Sequence, residues 1–311
     1  MELLLLAVGI AGLWLGTELT IRGALAVAQR HSLSEWVVGL LILSIGSDLP
    51  ELAVAVDAGV KVLMGQDASG VVTGASIGSV VAQIGLVLGL AALITPLVLP
   101  RRVVYRYGAV LLAATVLLFA LGYDGHISRA DGAVLVAAYL VYLFGLMNGE
   151  AKGVAPPLAL ARGRLRSWFG LAAGLALVIG GSELTVVSVV GIARTFELSE
   201  TVISILVIGL GTSLPELSIS IAAIIKRKTA LSVGNIIGSN VLDTLLPIGL
   251  AALIAPLAFD RTFLTFDLPY IFVLTAVVLG MLVGRRGLTR LEGVPILVLY
   301  GIYVAVKLQH M

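Results

Sequence analysis

The chain has 311 residues, of which 59% are hydrophobic and only 12% charged, about half the charged share of ordinary soluble domains. With a mean hydropathy of +1.11 it has too little polar surface to face water, which excludes a cytosolic enzyme, a nucleic-acid binder and a disordered chain. The net charge of +2 points to no particular partner, and the absence of cysteine excludes disulfides, thiolate metal ligands and a cysteine nucleophile. The bilayer is therefore the expected solvent for most of the chain.

The first nineteen residues open on Glu2 without a basic n-region, so they read as a retained span and not as a cleaved leader. Each spanning helix needs about 20 apolar residues. Charge clusters and Pro/Gly punctuation then divide the chain into ten spans, near 3–25, 36–63, 70–98, 104–122, 131–149, 168–192, 201–225, 230–257, 266–284 and 293–308. The runs are continuous and do not alternate, which argues against a barrel. Fourteen Lys and Arg fall in the loops near 26–35, 99–106, 150–167, 226–229 and 285–292, and only five on the opposite side. The basic side is expected in the cytoplasm, which places both termini outside on a multi-pass protein of the cell membrane.

The two ends of the chain repeat each other. Gly16-Thr17-Glu18-Leu19-Thr20 matches Gly181-Ser182-Glu183-Leu184-Thr185 at an offset of 165, as Gly46-Ser47-Asp48-Leu49-Pro50-Glu51-Leu52 matches Gly211-Thr212-Ser213-Leu214-Pro215-Glu216-Leu217. Beyond a loop five residues longer in the first half, the offset is 160, and Ile77-Gly78-Ser79 matches Ile237-Gly238-Ser239. Five spans per half is an odd number, so the second half enters the membrane upside down. The fold expected is an all-α polytopic membrane protein of ten transmembrane helices in two inverted five-helix repeats, 1–149 and 168–311, joined by a cytoplasmic linker at 150–167. That design is common in secondary transporters, with a site near the midplane.

Ionisable groups in hydrocarbon are costly. Seven carboxylates are assigned to the spans: Glu18, Asp48, Glu51, Asp57, Glu183, Glu216 and Asp243. Arg22 is taken as the one intramembrane base, four residues after Glu18, the favourable order for a helix pair. The other acids have no cationic side chain in reach, so protons or metal cations should neutralise them. Asp57 is expected to face away from the centre, and Glu18 and Glu183 to make helix-end or interhelical bonds.

Pro50 and Pro215 stand immediately before Glu51 and Glu216 and should break their helices at mid-depth, freeing carbonyls. Ser44, Ser47, Thr212 and Ser213 add hydroxyls beside them. Ser79 and Gln83, like Ser239 and Asp243, are four apart and share one helix face. Carboxylate, hydroxyl, amide and carbonyl oxygens without sulfur or imidazole suit hard cations such as Ca²⁺ and Na⁺.

Gly211 to Glu216 together with Gly234 to Asp243 resembles the second α-repeat of the calcium/cation antiporter superfamily, in the form of its sodium/calcium exchanger branch. Gly46 to Glu51 with Gly74 to Gln83 is similar to the first α-repeat. The resemblance implies ligands from Ser47, Glu51, Ser79, Thr212, Ser213, Glu216, Ser239 and Asp243, and carbonyls of Ser44 and Gly209. It further implies that the first and sixth spans slide across this core. Asp48 stands where the family has Ser, and Gln83 where Asn or Asp is usual, so both are added to the candidate site. Ala75 and Val80 replace the asparagines present at Asn235 and Asn240.

The expected activity is antiport of Ca²⁺ against Na⁺ at one shared site by alternating access, with H⁺ coupling or another divalent cation, Mg²⁺ or Mn²⁺, as the alternative that Asp48 raises. No enzymatic activity and no cofactor are expected. The expected partners are the transported cations and the lipid bilayer, with no nucleic acid, and a monomer is expected.

Overall fold

The computed structural model describes residues 2–150, 164–195, 213–284 and 287–310. The described chain is almost entirely helical. In chain order the helices are α1 (Glu2–Arg30), α2 (Glu35–Ser47), α3 (Leu49–Leu63), α4 (Ser69–Ile94), α5 (Arg101–Leu121), α6 (Arg129–Glu150), α7 (Arg164–Thr195), α8 (Leu214–Ile225), α9 (Thr229–Ile254), α10 (Phe263–Gly284) and α11 (Arg290–His310). Among the described residues eight helices are long and apolar enough to cross a membrane, and nine if α2 and α3 form one bent span. The expected span 201–225 lies partly outside the described residues, and its described part is the short apolar α8.

The expected single span 36–63 is two helices meeting at 45°. Asp48 sits at the break with φ −84° and ψ 6°, and Pro50 opens α3. Proline has no N–H to give the carbonyl four residues back, and its ring crowds that carbonyl. Ser213 has nearly the same backbone angles, −88° and 4°, ahead of Pro215 in α8. The span expected at 70–98 ends earlier, at Ile94, where Thr95 turns extended (φ −147°, ψ 144°). Ala255 does the same after α9 (φ −148°, ψ 141°). Each precedes a proline, Pro96 or Pro256, which disfavours helix at the preceding residue.

Helices α4 and α9 lie at the centre, with 72% and 78% of their apolar windows buried, against 22–39% for the other single spans. They are rich in Gly, Ser and Ala, which lets backbones approach closely where lipid offers no hydrophobic drive for association. The largest hydrophobic cluster wraps these two helices. A second cluster joins Ile21, Ala24 and Val27 of α1 to Leu171 and Val178 of α7, and rests on α2 and α8 through Leu43 and Ile219.

Contacts between corresponding positions recur with their partners exchanged. Arg129 donates to the Ile254 carbonyl (2.9 Å) and Arg290 to the Ile94 carbonyl (3.1 Å). Leu97 bridges to Leu288, and Leu257 pairs with Ile127. The Ser128 N–H donates to Asp131 (2.9 Å) and the Thr289 N–H to Glu292 (2.7 Å), both as capping boxes at helix starts. Gly9 faces Thr185, and Gly174 faces Thr20.

The last of these pairs carries a stability prediction. A Cβ on Gly174 would strike the Thr20 backbone and lie 2.6 Å from its Oγ1, whereas nothing stands within 4 Å of Gly180 on the same helix. Gly174→Leu is expected to lower the melting temperature in detergent, at a cost of about 1–3 kcal/mol from overpacking. Gly180→Leu should leave it unchanged.

Candidate cation-binding site

The break between α2 and α3, the start of α8, and the middle of α4 and α9 converge. Asp48, Ser44, Ser47, Ser79, Gln83, Glu216, Ser239 and Asp243 are completely buried, and Glu51 and Ser213 nearly so. Each side chain is delivered by a local rule. Pro50 and Pro215 fall in the first turn of α3 and α8, which places Glu51 and Glu216 in that turn too. The four-residue spacing keeps Ser79 and Gln83 on one face of α4, and Ser239 and Asp243 on one face of α9.

The links between the two halves are again exchanged in kind. Ser239 Oγ donates to Asp48 Oδ1 (2.8 Å), and at the corresponding places Ser79 Oγ and Ser213 Oγ meet at 3.2 Å. Gln83 Nε2 reaches both Ser79 Oγ (3.1 Å) and Asp243 Oδ2 (2.9 Å). Glu216 stands beside Asp48 and Ser47. The Ser44 carbonyl accepts the Asp48 N–H (3.0 Å) and the Ser47 hydroxyl (3.3 Å), so it is engaged within its own helix. Gly209 and Thr212 lie outside the described residues.

What the acids lack is more telling. Among the described residues, both oxygens of Glu51, both of Glu216, Asp48 Oδ2 and Asp243 Oδ1 have no hydrogen-bond partner, nor has Gln83 Oε1. A buried carboxylate without a donor or counter-charge is strongly unfavourable. Here six such oxygens come from three helices and the break between α2 and α3, and none of the ion pairs among the described residues involves these four acids. Among the described residues no three His, Asp or Glu side chains form a metal-holding group by themselves. Hydroxyl, amide and carbonyl oxygens would have to complete any cation's shell, as hard cations accept.

The three other acids assigned to the spans divide: Glu18 is bonded as expected, while Asp57 and Glu183 depart from expectation. Asp57 does have a cationic partner: it pairs with Lys61 one turn on (2.6 Å), and its side chain is 62% exposed. Glu18 holds Arg22 at 2.6 Å and also Lys226 at 2.5 Å. Glu183 is exposed on α7. An eighth acid was missed. Asp267 is completely buried near the start of α10 and accepts from Tyr303 Oη (2.7 Å) and Lys307 Nζ (2.8 Å) of α11. Its signal was present, an aspartate in the apolar run Phe266-Asp267-Leu268, but Lys307 lies 40 residues away and no local spacing joins them. Lys307→Met should strand this carboxylate and lower stability by about 3 kcal/mol, the low end for a broken buried pair because Lys307 is partly exposed. Thermal unfolding of that variant beside Asp267→Asn/Lys307→Met, which should recover most of the loss, checks it.

The sodium/calcium exchanger protein family matches this chain over residues 1–148 and 166–309. The chain belongs to that family. Its relatives include the sodium/calcium exchanger MaX1 of Methanosarcina acetivorans, 26% identical over 97% of both chains. The putative antiporter CaxA of Alkalimonas amylolytica is 30% identical over 92% of both. Among solved structures, one of the sodium-calcium exchanger NCX_Mj superposes with a TM-score of 0.85 at 27% identity, covering 98% of each chain.

Proposed function

We propose that this exchanger-family protein is a secondary antiporter that moves Ca²⁺ against Na⁺ at one midplane site by alternating access. The observation that carries this reading is the set of six unpartnered carboxylate oxygens on Asp48, Glu51, Glu216 and Asp243. An occluded site with uncompensated carboxylates is costly to carry across the bilayer. Closure is therefore favourable only over a full complement of positive charge, either Ca²⁺ or several Na⁺. That rule forbids an empty return and couples the two fluxes. Glu51 and Glu216 supply most of the Ca²⁺ binding. Ser47, Ser79, Thr212, Ser213 and Ser239 complete the shell with the carbonyls of Ser44 and Gly209, and Asp48, Gln83 and Asp243 set the charge balance.

The architecture in this reading is ten spans in two inverted five-helix repeats, 1–149 and 168–311, with 150–167 as cytoplasmic linker and both termini outside the cell membrane. The exchanged pairs Arg129–Ile254 and Arg290–Ile94, and Ser239–Asp48 beside Ser79–Ser213, support two halves related by a twofold. The interruption of the family match between 148 and 166 supports the linker.

A second reading rests on Asp48. Its counterpart in the other half is Ser213 at nearly identical backbone angles, so this acid, like Asp243 opposite Gln83, is not repeated in the other half. That acid suits H⁺ coupling, or a divalent such as Mg²⁺ or Mn²⁺. Purified protein in vesicles, loaded with Na⁺, K⁺ or a pH step and supplied with external Ca²⁺, separates the readings. Uptake should follow the Na⁺ gradient, and uptake independent of every gradient would overturn antiport.

A further inference from the structure

We infer that two ion pairs on either side of the middle of the α1–α7 pair act as alternating latches: Glu18–Lys226, closed in this structure, and Glu183–Lys61, closed in the opposite-facing state. The inference rests on the alternating-access reading above. Glu18 corresponds to Glu183, and Lys61 to Lys226, at the same offset of 165. The contact between α1 and α7 is itself symmetric, with Gly9 against Thr185 and Gly174 against Thr20. The two helices therefore form one body that offers equivalent carboxylates, one on either side of its middle, to equivalent lysines.

The seating of that body is not symmetric. Both α1 and α7 pack on α8, and among the described residues neither contacts α3 to a comparable extent. On the α8 side Glu18 grips Lys226 at 2.5 Å. On the α3 side Glu183 is exposed and Lys61 is held by Asp57 at 2.6 Å. Ala222 occupies the place that corresponds to Asp57, so Lys226 has no such acid in its own helix. Asp57 thus acts as a parking partner: it neutralises Lys61 while the latch on that side is open. When the α1–α7 body shifts, Glu183 takes Lys61 from Asp57. Glu18 then releases Lys226 and keeps Arg22, which it already holds at 2.6 Å. The shift breaks Glu18–Lys226 and Asp57–Lys61 and makes Glu183–Lys61; pairs this exposed are weak, so the latches steady both end states without favouring one strongly. Asp57, present in one half only, biases the balance toward the state seen here.

The chain contains no cysteine, so introduced cysteine pairs report cleanly, and the side chains concerned are all partly exposed, where substitution is tolerated. In full-length protein in vesicles, E18C/K226C and K61C/E183C are each treated with a bifunctional thiol reagent, and the linked peptides are quantified by mass. Both pairs are expected to cross-link, in separate molecules, and Ca²⁺ flux should stop when either is linked. Adding Asp57→Ala to E18C/K226C frees Lys61 for Glu183, so cross-linking of the first pair should slow by about two- to fivefold, the scale of an exposed ion pair. K61C/E183C that never links under conditions linking E18C/K226C would overturn the inference, as would a linking rate indifferent to Asp57→Ala. Cross-link yields are read with no transported ion present. Failure of the Na⁺/Ca²⁺ reading would instead show as the wrong driving ion in the unlinked protein, with both latches intact.

Discussion

Glu216→Gln is expected to cut Na⁺-driven Ca²⁺ uptake by about 30-fold or more while leaving the fold intact. The side chain is completely buried and both of its carboxyl oxygens lack a hydrogen-bond partner among the described residues, so no ion pair or hydrogen bond of the fold is lost with its charge. The amide is nearly isosteric and keeps the packing. What it removes is attraction for the cation: two unit charges 4 Å apart gain about 4 kcal/mol at an effective dielectric of 20. A divalent ion gains more, and if half is offset by dehydration about 2 kcal/mol is still lost, which is roughly 30-fold in affinity. Stability should move the other way in ion-free detergent, because one of four mutually repelling acids is gone. The Ca²⁺-induced stabilisation, about 2.7 kcal/mol at 100 times the dissociation constant for the unaltered protein and read as a rise in melting temperature, should largely vanish. Unchanged uptake together with an unchanged thermal shift would remove Glu216 from the site.

Asp48→Ser is the second change with a large expected effect, and it concerns the counter-ion more than the rate. With Asp48, Glu51, Glu216 and Asp243 all ionised, one Ca²⁺ leaves two negative charges to be met by monovalent cations or protons. With serine at 48, as at the corresponding Ser213, it leaves one. Interacting carboxylates take up protons as a set, so removing one member changes how many travel with the ion. Na⁺-driven uptake should persist, and any uptake driven by a pH step should fall tenfold or more. The slope of the equilibrium Ca²⁺ gradient against the imposed Na⁺ gradient should change by about one charge per Ca²⁺. Ser239 donates its hydroxyl to Asp48 at 2.8 Å, and a serine can still pair with it, as Ser79 and Ser213 do at 3.2 Å. The variant should therefore fold. An unchanged gradient slope and an unchanged pH-driven component would show that Asp48 is a structural acid.

Much of the site was legible because its delivery is local. Leu49-Pro50-Glu51 and Leu214-Pro215-Glu216 announce a broken helix with a carboxylate in the first turn after it, and both helices begin there. Ser79 with Gln83, and Ser239 with Asp243, share faces because four residues make about one turn. Two acids are not legible in this way. Asp57 reads as an acid without a base because hydropathy assigns it to a span and Lys61, one turn on, to the loop that follows. Asp267 escaped notice because its partners, Tyr303 and Lys307, sit on α11.

From the sequence alone came the bilayer as solvent, the order of the apolar segments, the repeat, and the two Pro-Glu breaks. All of these depend on residue type and on spacings within a few turns. The tertiary structure alone decided that Gln83 reaches Asp243, that Ser239 reaches Asp48 and that Glu18 reaches Lys226 while Glu183 stays exposed. Those pairs are separated by between 160 and 208 residues. Where lipid and protein interior are both apolar, hydropathy does not set which face of a helix turns inward. Backbone approach at glycines and the pairing of buried polar atoms set it instead, and these exist only once the helices have met.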